Sequence, residues 1–224
     1  LQYFFLGLKV SLAPFNGDAE LKLANLYGGL KDSRKFLRLF KYTIEYKRIL
    51  CVIDKRPPEM TDFDIFLIIS IRLLLMVYWI CDNVNILAKV RTLTRSFESL
   101  GNFGMHCWWL SLMLHLFLNL RIIRNAKRQQ KSLDERLEKL AKEKQYPFKL
   151  DEVKAKIELQ KQRGDHAWMG ILKCFSDLII CSKEIKLDVN LTGFNFLKEW
   201  MCALGGILSS SISLYGMWNH TAHS

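Results

Sequence analysis

The residues best suited to bind a ligand are cations at helical spacing near the N-terminus. Between residues 31 and 48, seven Lys and Arg stand against two acids, and on a helical wheel most of the cations lie opposite apolar side chains. This pattern predicts one amphipathic helix from about residue 30 to residue 51. Its cations would attract lipid phosphates at roughly 1 kcal/mol each. We expect lipid to be bound by Lys31, Arg34, Lys35, Arg38, Lys41, Arg48, Phe36, Leu37, Phe40 and Ile44. The alternative is the solvated face of a soluble bundle.

Patterns of catalytic and metal-binding residues are missing from the sequence. It contains no G-x-S-x-G, P-loop, dinucleotide-binding or H-E-x-x-H motif. His220 and His223 have no nearby Cys or carboxylate to complete a metal site. The six cysteines form no C-x-x-C pair, which favours buried free thiols in a reducing compartment. We therefore expect a non-catalytic protein without a metal or another cofactor.

The charge balance indicates a polyanionic partner. The chain of 224 residues has a formal net charge of +11, and half of its residues are hydrophobic. Nucleic acid and an anionic lipid surface both fit such an excess of positive charge. The hydrophilic, net basic stretch at 121–163 lacks aromatics interleaved with its cations, zinc-ligand spacing and any recognised nucleic-acid-binding module. We expect anionic lipid, and no nucleic acid, as the partner.

Three apolar segments determine the predicted fold class. They cover residues 65–81, 103–120 and 200–218, and each is near the lower limit of the 17 to 25 residues that cross a bilayer. Few glycines and prolines are available for the turns of an all-β fold. The sequence therefore predicts an all-α, membrane-associated helical bundle with two to three transmembrane or deeply embedded helices plus amphipathic helices.

Two features of these segments require other helices or subunits. Arg72 is the one charge in the first segment, and a central charge costs about 2.5–3.5 kcal/mol on membrane-insertion scales. It predicts an ion pair with a carboxylate on another helix or subunit, or a segment that lies shallow in the membrane. The last segment carries small residues that permit close helix packing and oligomers. These are Gly205, Gly206, Ser209, Ser210, Ser213 and Gly216.

We expect one domain over residues 1–224, built from four stretches. Residues 1–56 form amphipathic helices and residues 63–126 two apolar helices. Residues 127–165 form a charged helical insert, and residues 166–224 the C-terminal amphipathic and apolar helices.

Three landmarks in this order resemble the peroxin-eleven family. The first is SRKFLRLFK, from Ser33 to Lys41. The second is the pair Asp82-Asn83, which follows the apolar run containing Tyr78-Trp79. The third is the C-terminal GILSSSISLYGMW, with Gly206, Ser209, Ser210, Tyr215 and Trp218. The resemblance extends over nearly the whole chain.

The resemblance implies a peroxisomal membrane protein that elongates and remodels membrane before division. In this family a basic amphipathic helix inserts into anionic lipid, and self-association concentrates its effect. A second interpretation is an accessory structural subunit of a large mitochondrial inner-membrane complex, because Arg72 and the small residues require partners. A metabolite pore is a third. The expected protein partners are accordingly further copies of the chain or other subunits of a membrane complex.

Overall fold

The computed structural model describes residues 2–12, 17–56, 60–89, 98–143, 147–186 and 198–222. These residues form seven helices and no strand, which confirms the predicted all-α class. The helices are α1 (Gln2–Leu12), α2 (Gly17–Phe36), α3 (Lys41–Asp54), α4 (Asp62–Lys89), α5 (Glu98–Glu143), α6 (Pro147–Glu184) and α7 (Glu199–Ala222).

The chain divides into two compact units. The first contains Leu1–His115 together with Lys173–Ser224, and the second contains Leu116–Leu172. Helices α5 and α6 each contribute residues to both units. The whole of the predicted charged insert lies in the second unit, and all of the predicted lipid-binding residues lie in the first.

Within the described residues, two helices are long and apolar enough to cross a membrane. They cover Asp62–Ala88 of α4 and the apolar part of α5 within Ser99–Leu140. Only 28% and 33% of their most apolar windows are buried, whereas a core helix of a soluble protein is mostly buried. The exposed face of α4 carries Phe66, Leu73, Ile80 and Leu87 at seven-residue spacing. An apolar face of this length requires lipid or a partner, so α4 and α5 support the membrane-associated class. Helix α7, which contains the third predicted apolar segment, is not one of these two candidate membrane spans.

The N-terminal helix packs on the C-terminal one. Leu6 of α1 lies in a small core with Cys202 and Ala203 of α7. The ring of Tyr3 lies so close to Gly206 that a Cβ atom there would come within 2.1 Å of it. The ion pair Lys9–Glu199, with 3.1 Å between nitrogen and oxygen, joins the same two helices. Close contact with α1 therefore depends on the small side chains of α7.

Aromatic side chains join α4 to α5. Tyr78 stacks on Trp108 with 5.4 Å between ring centroids, and Trp79 and Cys107 belong to the same core. A Cβ atom on Gly104 would lie 2.7 Å from the Cβ atom of Cys81, so glycine is required where the two helices approach. In the second unit, Ile123 of α5 packs on Ala167 and Ile171 of α6.

All six cysteines are free thiols, of which Cys51 is exposed and the other five are buried. In α6, burial raises the pKa of Cys174 to about 11 and that of Cys181 to about 12. A raised pKa leaves less of the reactive thiolate at a given pH. At pH 7.5 we expect maleimide to label Cys51 within minutes and Cys181 at least a hundredfold more slowly. Mass spectrometry of the labelled peptides measures the ratio. Labelling in denaturant, where the two rates should become similar, is the control, and equal rates in the folded protein would contradict the buried position of Cys181.

Candidate membrane-binding site

The predicted amphipathic helix is interrupted in its middle. Helix α2 ends at Phe36, α3 begins at Lys41, and residues 37–40 form turns. Phe40 has a φ of 62°, in the left-handed region that a residue with a side chain rarely adopts. The prediction of one helix from residue 30 to residue 51 is therefore wrong. The helical wheel does not hold across the break, because residues 37–40 do not continue the rotation of 100° per residue.

Two cations, one in this break and one directly after it, lie over the ring of one tryptophan. The guanidinium carbon of Arg38 is 5.0 Å from the ring centroid of Trp79, and Nζ of Lys41 is 4.3 Å from it. A cation over a tryptophan face contributes about 0.5–2 kcal/mol, with the larger values at desolvated sites. Burial and the neighbouring charge of Arg38 lower the pKa of Lys41. Both cations therefore contact α4, whereas the wheel predicted that they lie on a basic face that binds lipid phosphates.

The cations of α2 also have partners within the chain. Nζ of Lys31 lies 2.8 Å from Oε1 of Glu184 in α6. Burial lowers the pKa of Lys31, but the hydrogen bond and the charge of Glu184 outweigh it and raise that pKa overall. The guanidinium of Arg34 lies over the ring of Tyr3, 5.4 Å from its centroid. The side chain of Lys35 lies outside the described residues. The basic residues thus help to hold α2 against the bundle.

Arg72 shares a buried carboxylate with Arg48. Glu45 of α3 accepts a hydrogen bond from Arg72 at 2.9 Å on one oxygen and from Arg48 at 2.9 Å on the other. The side chain of Glu45 is only 3% exposed. The carboxylate beside Arg72 thus lies on another helix of the same chain. The sequence did not identify Glu45, although it is the one acid between Lys41 and Arg48.

The apolar residues of the predicted site point outward. Leu37 is 88% exposed and Phe40 64%, and Phe36 and Ile44 are each about half exposed. We call these four residues the wedge. They lie in and beside the break, next to Arg38 and Lys41, which contact Trp79. The site thus combines exposed apolar side chains with cations that lie over an aromatic ring. This arrangement fits the boundary between the hydrocarbon core and the headgroups of a bilayer.

A family model described as Peroxisomal biogenesis factor 11 (PEX11) matches residues 1–218. The chain belongs to this family. No curated protein and no solved structure matches it. Proteins of the PEX11 family are peroxisomal membrane proteins, and the family functions in peroxisome biogenesis through membrane elongation and division. The chain is therefore a peroxisomal membrane protein with a role in peroxisome biogenesis.

The second landmark of this PEX11 protein lies inside the bundle. Asp82 and Asn83 are each 8% exposed near the C-terminal end of α4. They come four residues after Tyr78 and Trp79 in the sequence and lie about one helical turn further along. The pair is therefore part of the packed region that joins α4 to its neighbours.

The small residues of the PEX11 protein's α7 divide into two groups. A Cβ atom on Gly205 would lie 3.0 Å from the backbone oxygen of Ser176 in α6, and Gly206 contacts Tyr3. Ser209 donates a hydrogen bond to Asp177 of α6 at 2.6 Å. In contrast, Ser210 and Ser213 bond to backbone oxygens of their own helix, and a Cβ atom on Gly216 would meet no other atom within 4 Å. The first group thus packs α7 against α1 and α6.

Proposed function

We propose that this PEX11 protein elongates the peroxisomal membrane by inserting the wedge into one leaflet. The observation that supports the proposal is the exposure of Leu37 and Phe40, at 88% and 64%, in a helix break next to two stacked cations. Burying a Leu or Phe side chain is favourable by about 1.5–3 kcal/mol. Two such residues alone therefore supply enough free energy to keep the break in the interface.

The depth of insertion is set by the neighbours of the wedge. Tryptophan and tyrosine favour the headgroup level of a bilayer, and Tyr78, Trp79 and Trp108 lie together where α4 meets α5. Arg38 and Lys41 contact Trp79, so their charges lie at the level of the phosphates when the aromatic cluster does. Interfacial segments bury apolar side chains roughly 5–10 Å deep. The wedge would then expand one leaflet more than the other, which bends the membrane.

The proposed partners are anionic lipids and further copies of the chain. Several wedges in one area expand the leaflet more than one does, so self-association would increase curvature. The proposal requires no catalytic step, since insertion itself supplies the energy that bends the bilayer.

A double substitution in the wedge tests the proposal. We expect Leu37→Ser with Phe40→Asn to reduce tubulation of phosphatidylserine-containing vesicles at least tenfold, because about 3 kcal/mol or more of apolar burial is lost. Asparagine is chosen because it tolerates the left-handed conformation of residue 40. Electron microscopy of vesicles at matched protein density gives the number and length of tubules.

The matched control is Leu21→Ser with Leu26→Ser, which removes two exposed apolar side chains of α2 at a distance from the break. The control should form tubules at the wild-type rate. Both variants should remain in carbonate-washed membranes, since α4 and α5 are unchanged. Wild-type tubulation by the wedge variant, or an equal loss in the control, would contradict the proposed mechanism.

A further inference from the structure

One face of α5 changes abruptly from apolar to basic. Five apolar residues on this face are exposed: Phe103, Leu110, Met113, Phe117 and Leu120. His106 is the one exposed polar residue among them. The next exposed residues on the same face are Arg124, Lys127, Arg128 and Lys131. At 100° per residue all nine lie within an arc of about 120°. We call the four cations the basic collar.

The apolar part of this face has the length of a bilayer core. From Phe103 to Leu120 the helix rises about 26 Å, against a hydrocarbon thickness of about 30 Å. The Cα atom of Arg124 lies about 6 Å beyond that of Leu120, and that of Lys131 about 16 Å beyond it. The headgroup layer occupies roughly the first 5–8 Å beyond the hydrocarbon. The collar therefore begins in this layer and continues just outside it.

The side chains of the basic collar are exposed and form no ion pair with the described residues, so they can bind a ligand. No Asp or Glu occurs between Glu98 and Asp134 in the sequence. By comparison, Lys31, Arg48 and Arg72 in the first unit each lie beside a carboxylate. The collar thus carries four positive charges on a single helix face, and the nearest acids, Asp134 and Glu135, lie one turn beyond Lys131.

We infer that the basic collar binds the phosphates of anionic lipid headgroups where α5 leaves the bilayer. The inference depends on α5 crossing the membrane and not on the wedge, so either can fail alone. An acidic protein or a nucleic acid would also complement the charge. The continuity of the collar with the lipid-facing apolar stripe favours lipid, because the same face that contacts acyl chains then meets their headgroups without a change of direction.

Lipid binding by the full-length protein in neutral detergent tests the inference. Native mass spectrometry measures the dissociation constants of phosphatidylserine and phosphatidylcholine. One lysine or arginine near an anionic surface changes affinity roughly fivefold. We therefore expect replacement of all four collar residues by Gln to weaken phosphatidylserine binding at least tenfold and to leave phosphatidylcholine binding unchanged. The difference from wild type should shrink as salt is raised.

The control removes the same charge elsewhere in the second unit, with Gln at Arg136, Lys139, Lys154 and Lys161, all exposed. It should bind phosphatidylserine within twofold of wild type. The comparison is repeated with Leu37→Ser and Phe40→Asn present, so that loss of wedge binding is measured separately. An unchanged collar variant, or an equal loss in the control, would overturn the inference. So would unchanged lipid binding together with loss of a co-purifying acidic protein or RNA. Thermal unfolding of both variants verifies that they fold.

Discussion

Replacing Glu45 with alanine is expected to lower the free energy of unfolding by about 3–5 kcal/mol, because it leaves Arg72 half-buried without its carboxylate. Arg48, whose side chain is 52% exposed, can turn to solvent, but Arg72 lies in the middle of α4 with a side chain that is 31% exposed. Unfolding by a denaturing detergent, followed by circular dichroism, measures the loss. The effect is large because the acid is almost completely buried.

A second variant distinguishes two causes of destabilisation, the loss of the carboxylate of Glu45 and the cavity that the smaller alanine leaves. Replacing Glu45 and Arg72 together by leucine removes both charges, and such exchanges of a buried pair are commonly neutral or stabilising. The double variant should therefore be more stable than Glu45→Ala, by about 2 kcal/mol or more. If Glu45→Ala lowers stability by less than about 1 kcal/mol, the ion pair does not hold α3 on α4 as its geometry indicates.

Replacing Gly206 with alanine is expected to displace α1 from α7. The added Cβ atom would lie 2.1 Å from the ring of Tyr3, closer than two atoms can approach. Overpacking of this kind costs about 1–3 kcal/mol and sometimes more. Cys202 is 7% exposed in the core that α7 forms with Leu6, and it reports the displacement. In a Cys51→Ser background, we expect labelling of Cys202 by maleimide to accelerate at least tenfold.

Gly216→Ala is the matched control, since its Cβ atom would meet nothing within 4 Å. Alanine favours a helix over glycine by about 1 kcal/mol, so this variant should be at least as stable as the wild type. Its Cys202 should be labelled at the wild-type rate. Equal labelling of Cys202 in the two variants would show that α1 does not depend on the glycine at position 206.

The sequence predicted those parts of the fold that follow from local composition. The apolar runs of α4 and α5 are long, nearly free of charge and followed by charged residues, so their helices could be predicted directly. The charge of Arg72 was costly enough to indicate a carboxylate partner, but not which one. Glu45 lies in a basic stretch, and only packing of α3 along α4 brings it to Arg72.

The helix break and the orientation of the site could not be predicted in the same way. Residues 37–40 contain no Gly, Pro or Asn to signal a break. The left-handed Phe40 is itself mostly exposed, and the contacts with another helix at the break are those of Arg38 and Lys41 with Trp79. The wheel separated cations from apolar residues but did not show which group faces the bundle. The orientation of the cations toward the bundle depends on Trp79, which belongs to another helix. Periodicity records which residues share a face, whereas long-range contacts decide what each face meets.

Because α5 is long and uninterrupted, a small tilt of the helix would move its C-terminal end by a large distance. Its 46 residues extend about 69 Å, and the 23 residues after Leu120 account for about 35 Å of this. A transmembrane helix tilts when its apolar stretch is longer than the local hydrocarbon core, so α5 would tilt where the bilayer thins below the roughly 26 Å of its apolar face. A tilt of only about 10° would move the far end of such a rod sideways by about 6 Å. Local thinning of the membrane would thus displace the C-terminal end of α5 far enough to change its contacts with any molecule bound there.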